Sequence, residues 1–114
     1  MKVSYEEIGR WTATFACTSA VEGHVVKISS DGTVAACADG DAFCGTVVSV
    51  GHDGTACSVA LGGFVTAAYT GTAPTVGWAA LSANSTGGVK ADAAGRSHLI
   101  AEVDTSAKTV TFVL

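Results

Sequence analysis

Two Asp-Gly pairs, Asp31-Gly32 and Asp53-Gly54, each stand between short runs of Val, Thr, Ala and Ser in which apolar and polar residues alternate. Asp-Gly supplies the positive-φ backbone that a tight hairpin turn needs, and a period of two sends successive side chains to opposite faces of a strand. Val25–Ile28 returning as Thr33–Ala36 is therefore one predicted hairpin, and Thr46–Val50 returning as Thr55–Leu61 is a second. His98–Val103 and Thr109–Val113, around the polar residues 104–108, make a third, with Val110 and Phe112 on one face. Ahead of these, Trp11, Ala13, Phe15 and Cys17 alternate with threonine and alanine and predict a strand with one core face. Gly62-Gly63 separates the second hairpin from Phe64–Tyr69, the single proline, Pro74, marks a loop, and Val76–Leu81 and Val89–Ala91 flank the turn Asn84–Gly88.

The expected fold is all-β: a small β-barrel or β-tulip-like domain of about nine to ten short strands, with turn signals every 8 to 12 residues or so. Leu, Ile and Met are too sparse to build the broad apolar stripe of a packed helix. At 114 residues one domain is expected, spanning 11–114, preceded by an arm at 1–10. In that arm Ser4-Tyr5-Glu6-Glu7 has the form of a helix capping box, but Gly9 stops it within about a turn, too short to stand alone.

With 48% apolar residues and a mean hydropathy of +0.43, the chain has the surface to bury that disordered tails lack. Six Lys and Arg against ten Asp and Glu give a net charge of −4 with no basic block, which argues against nucleic acid as a partner. No apolar run nears the roughly 18 residues that span a bilayer, and no signal-type apolar core follows Lys2, so a soluble chain made in the cytosol, with no membrane partner, is expected. Cys17, Cys37, Cys44 and Cys57 are then expected as reduced, mostly buried small hydrophobes.

The chemistry-bearing residues form no recognisable site. His24, His52 and His98 lack a His or Cys partner at zinc-type spacing. His98 and Glu102 would share a strand face, a pair more commonly solvated than metal-binding. Asp31 and Asp53 precede glycine in turns, where Asp is chosen for its backbone hydrogen bonds, and Asp39-Gly40-Asp41 is the one dense acidic spot. No catalytic residue, cofactor or metal is assigned. Tyr69 and Trp78 bracket the Pro74 loop, as the aromatic platform of a sugar-binding module would, but large side chains in so small-residue a chain are better spent on core or subunit contacts.

Gly23-His24-Val25-Val26-Lys27, Gly45-Thr46-Val47-Val48, Gly62-Gly63-Phe64-Val65 and Gly77-Trp78, with the closing Val103-Asp104…Lys108-Thr109-Val110-Thr111-Phe112, resemble the head-decoration, or capsid cement, proteins of tailed bacteriophages and prophages. The likeness covers residues 20–114. It implies a non-enzymatic β unit that forms a homotrimer, binds the major capsid protein and stabilises the head from outside. It places the protein on the capsid exterior of the virion after synthesis in the host cytoplasm, with an N-terminal arm used on the capsid. Trp11, Phe15, Phe64 and Trp78 are the candidate interface residues. A carbohydrate-binding or adhesin-like β-module is the alternative.

Overall fold

The computed structural model describes residues 11–114, and the arm expected at 1–10 lies outside them. The described residues form ten strands: β1 (Trp11–Ala16), β2 (Val25–Ser30), β3 (Thr33–Ala36), β4 (Gly45–Val50), β5 (Ala56–Gly62), β6 (Phe64–Thr70), β7 (Gly77–Ala83), β8 (Val89–Ala91), β9 (Arg96–Asp104) and β10 (Thr109–Val113). The fold is all-β, and the three predicted hairpins are β2-β3, β4-β5 and β9-β10. Asp53 Oδ1 accepts the Thr55 amide at 3.1 Å in the second turn, and Asp104 Oδ1 accepts the amides of Ser106 and Ala107 at 3.0 Å in the third. These are the local bonds for which turns select Asp.

The strands divide between two closed barrels, ordered β1-β3-β2-β4-β5 and β10-β6-β8-β7-β9. The second barrel repeats the first. Replacing β1 to β5 by β6 to β10 reproduces every pairing: first with third parallel, and first with fifth, second with third, second with fourth and fourth with fifth antiparallel. In both halves the parallel seam is the short one, a single residue pair for β1-β3 (Ala16↔Thr33) and two pairs for β6-β8. Strand sequences such as Trp11–Ala16 and Phe64–Thr70 share no motif, so the duplication is visible in the topology alone.

The halves are interlocked by exchanged loops. The β3-β4 connection leaves the first barrel and lies on the second, where the Gly40 amide donates to the Ala83 carbonyl at 2.8 Å and the Ala83 amide returns a bond to Asp41 at 2.9 Å. Lys90 on β8 pairs with Asp39 at 2.9 Å. The same connection sinks Phe43 into the second barrel, stacked on His98 at 5.2 Å and edge-on to Phe112 at 5.8 Å. In the opposite direction the β7-β8 loop reaches the first barrel, and the Val25 amide donates to the Gly87 carbonyl at 2.8 Å.

Buried Asn84 shapes that loop: its Oδ1 accepts the amides of Thr86 and Gly88, and its Nδ2 donates to the Thr70 hydroxyl and the Val89 carbonyl. The His24 ring fills the space over Gly87, whose φ of +91° also disfavours a side chain. One apolar cluster therefore runs through both halves, joining Val25, Cys37, Phe43 and Ala60 to Tyr69, Leu81, Ile100 and Phe112, while a smaller one around Cys17, Val34, Val47 and Val59 belongs to the first barrel.

Phe43→Ala removes the one aromatic that the first half inserts into the second, and truncation of a buried Phe costs about 3–5 kcal/mol. Urea unfolding of the variant is expected to keep a single transition at a markedly lower midpoint. An unchanged midpoint would show that the halves do not depend on the plug.

Candidate interaction surface

Alternation along the strands of the second barrel sorts its side chains cleanly. On β6, Val65, Ala67 and Tyr69 face inward and Phe64, Thr66, Ala68 and Thr70 outward; on β10, Val110 and Phe112 face inward. The outward set is in register across strands: Thr66 and Thr111 share a hydroxyl–hydroxyl bond of 2.9 Å, and the next outward pair is Phe64 opposite Val113. On β9, the neighbour of β10, Leu99 lies opposite Trp78 of β7. With Phe112 opposite Ile100, Val113 continues the same row toward Leu99. The result is an outer apolar row, Trp78–Leu99–Val113–Phe64, in which Trp78 is 75% exposed and the other three half-buried. Val76, 60% exposed, lies just ahead of it.

Of the four interface candidates, the structure brings Phe64 and Trp78 into this row. Trp11 is 62% exposed, and its indole lies against Gly62, where a Cβ would collide with it. The alternation that reads Trp11 as a core residue is right about its face, but the residue stands at the strand's end, opposite Gly62 rather than over the core. Phe15, opposite buried Cys57, packs against the first-barrel cluster. Leu99, Val113 and Val76 are not singled out by the sequence; the signal for Leu99 is the alternation His98-Leu99-Ile100, with buried residues on either side.

The phase of β9 corrects one expectation. Thr111 opposes Glu102 while Phe112 opposes Ile100, so a bulge at Ala101 shifts the alternation. His98 points into the core, 3% exposed, and Glu102 lies on the outer side opposite Thr111, so the two do not share a face.

A cavity of about 260 Å³ opens where the chain leaving β1 parts from β3, between Thr18–Val21, Val34–Cys37 and the incoming Ser85–Gly87 loop. Its walls mix hydroxyls of Thr18, Ser19 and Thr86 with apolar Val25 and Val34. All four cysteines carry free thiols. Burial, with Asp41 close by, pushes Cys37 up to about 11, and burial with a hydrogen bond donated to Cys17 does the same for Cys57. Both thiols are thus protonated at neutral pH and poor nucleophiles.

Charge is unevenly shared. Residues 11–62 hold one cation, Lys27, against Glu22, Asp31, Asp39, Asp41 and Asp53, whereas residues 63–114 balance Lys90, Arg96 and Lys108 against Asp92, Glu102 and Asp104. Lys2 and Arg10 likewise balance Glu6 and Glu7, so the net charge of −4 falls within residues 11–62, with Asp39 and Asp41 of that stretch seated on the second barrel. Asp41 sits below the usual carboxylate range because Lys27 binds it at 2.6 Å and the Ala38 amide adds a second bond.

Desolvation holds His98 below the usual imidazole value, opposed by its Nδ1 bond of 2.9 Å to the Val113 carbonyl and reinforced by Arg96. A base whose folded pKa is depressed stabilises the fold fully above its unfolded pKa, about 6.5, and that stability is lost as pH falls below it, because the unfolded chain takes up the proton first. The melting temperature is expected to decline between pH 7.5 and pH 5, ahead of carboxylate titration, and to decline less in His98→Gln. Equal slopes in the two proteins would assign the effect elsewhere. No family model and no curated protein matches this sequence.

Proposed function

We propose that this chain is a non-enzymatic decoration protein of a tailed-phage head, which forms a homotrimer and binds the major capsid protein from outside the capsid. The observation that carries this reading is the pair of tryptophans, Trp11 and Trp78, held well out in solvent on rigid strands. Large aromatic side chains are enriched where surfaces become covered on assembly, and neither indole is consumed by the core of its own barrel. The resemblance set out from the glycine-punctuated strands supplies the identity of the covered surfaces: further copies of the chain and the capsid. A duplicated, interlocked, low-charge β unit is suited to bridging neighbouring subunits without deforming.

The same exposed tryptophans favour one competitor, a carbohydrate-binding module, in which an indole stacks on a sugar ring. The two readings separate on whether the indoles are covered by protein.

Sedimentation equilibrium at tens of micromolar is expected to give about three times the 11.3 kDa chain mass. The protein is expected to co-sediment with heads of the phage or prophage that encodes it and to raise their disruption temperature. A monomer that leaves such heads unbound, but whose tryptophan emission responds to a glycan panel, would replace this reading with the second.

A further inference from the structure

We propose that the first barrel is completed between molecules: residues 1–10 of a second copy add as an extended strand to the open edge of β3. The inference rests on the self-assembling reading above and names the contact through which copies join.

The first barrel is closed at its β1-β3 seam by one residue pair, Ala16↔Thr33. There the Ala16 amide donates to the Gly32 carbonyl at 2.9 Å, which fixes the side of β3 that faces β1. Backbone groups alternate between the two sides of a strand, so Val34 and Ala36 direct theirs to that same side, while those of Ala35, opposite Lys27, turn to β2. The chain leaving β1 does not follow them. Cys17 still bonds the Thr55 carbonyl at 3.0 Å, and Ser19, at a φ of +59°, then bends the chain away. That left-handed backbone is uncommon outside glycine and costs free energy that a continued strand avoids. Among the described residues, the Val34 carbonyl and both backbone groups of Ala36 therefore have no backbone partner on this edge. The cavity of about 260 Å³ stands where the missing strand would lie, walled by residues 34–37 on one side and 18–21 on the other.

A row of free donors and acceptors at strand spacing is matched by another extended backbone. Residues 1–10 supply one. Val3 and Tyr5 alternate with Lys2 and Ser4, and no glycine or proline precedes Gly9, so the segment has a strand's period and an apolar face for the cavity. Extended, ten residues reach about 33 Å. Trp11 pairs with Gly62 at the end of β1 remote from the cavity, which puts the start of the chain's own segment about 17 Å from Ala16. The Ala16↔Thr33 seam stands between that end and the open edge, whereas the cavity mouth admits a neighbour. Donor segment and acceptor edge are different surfaces, so the contact runs head to tail from copy to copy until a ring closes.

Two variants of the full chain disable the two sides separately. Ala36→Pro removes the edge amide at an exposed position whose amide turns away from β2, and Val3→Asp puts a charge on the apolar face of the segment. Each alone is expected to weaken self-association at least tenfold by sedimentation. Mixed, the two are expected to form a one-to-one pair, because the intact segment of one meets the intact edge of the other and no ring can close. In the unmodified chain, deuterium exchange of the Ala36 amide is expected to slow as protein concentration rises through assembly, a readout independent of how either variant folds. Circular dichroism verifies that the variants remain folded. An unmodified chain that is monomeric throughout overturns the decoration reading itself. A chain that assembles as tightly with Ala36→Pro, or folded variants that do not pair when mixed, leave that reading standing and overturn the strand exchange. So does an Ala36 amide protected equally at every concentration, as by the chain's own residues 1–10, or protected only once heads are added.

Discussion

The stack of Phe43 on His98 and Phe112 is the contact on which the arrangement of the two barrels depends. Strands rich in Val, Ala and Thr enclose a barrel but fill it thinly, and a void in a core forfeits dispersion contacts outright. The second barrel solves this with an aromatic borrowed from the first half, 55 positions before the His98 it covers. Once Phe43 is seated, its flanking backbone is committed as well: Gly40 and Asp41 exchange bonds with Ala83, and Asp39 meets Lys90. The reciprocal β7-β8 loop, braced by Asn84, then docks on Val25 beneath His24. Two copies of one topology become a single body through parts that each lends the other.

That interlocking frees the outside. With the shared cluster formed by inward side chains and the exchanged loop, the outward positions of β6, β7, β9 and β10 are not needed to close the core. They can carry an outer apolar row, Trp78–Leu99–Val113–Phe64, without being drawn into the core.

Much of the strand layout is legible in the sequence, and for identifiable reasons. Asp31-Gly32 and Asp53-Gly54 announce hairpins because their chemistry is local, and Thr109–Val113 announces its inward face by strict alternation. The third hairpin turn is legible by length alone, since its positive-φ residue is Lys108 rather than glycine. What stays hidden depends on contacts remote in sequence. Strand order, and with it the duplication, is set by which edges meet, and no motif records the pairing of β1 with both β3 and β5. Phe43 reads as one more aromatic in a loop, because its partners lie on β9 and β10. The bulge at Ala101 reverses the phase of β9 without any glycine or proline to mark it, which is why alternation alone puts His98 and Glu102 on one face. Among the interface candidates, Trp78 and Phe64 lie in one row, but Phe15 and Trp11 differ in burial despite their shared strand face, since alternation fixes direction and says nothing about where a strand overhangs its core.

The borrowed aromatic also bears on the order in which the molecule can be made. A ribosome delivers the first barrel complete with β5 before any strand of the second exists, and domains tend to fold as they emerge. At that stage Phe43 has no pocket, because His98 and Phe112, which enclose it, belong to β9 and β10. The nascent chain therefore carries a closed barrel with an uncovered aromatic loop until β10 emerges, and the arrival of β10 both closes the second barrel and sheathes that loop. Closure of the second barrel and maturation of the first barrel's surface are, by this geometry, the same event.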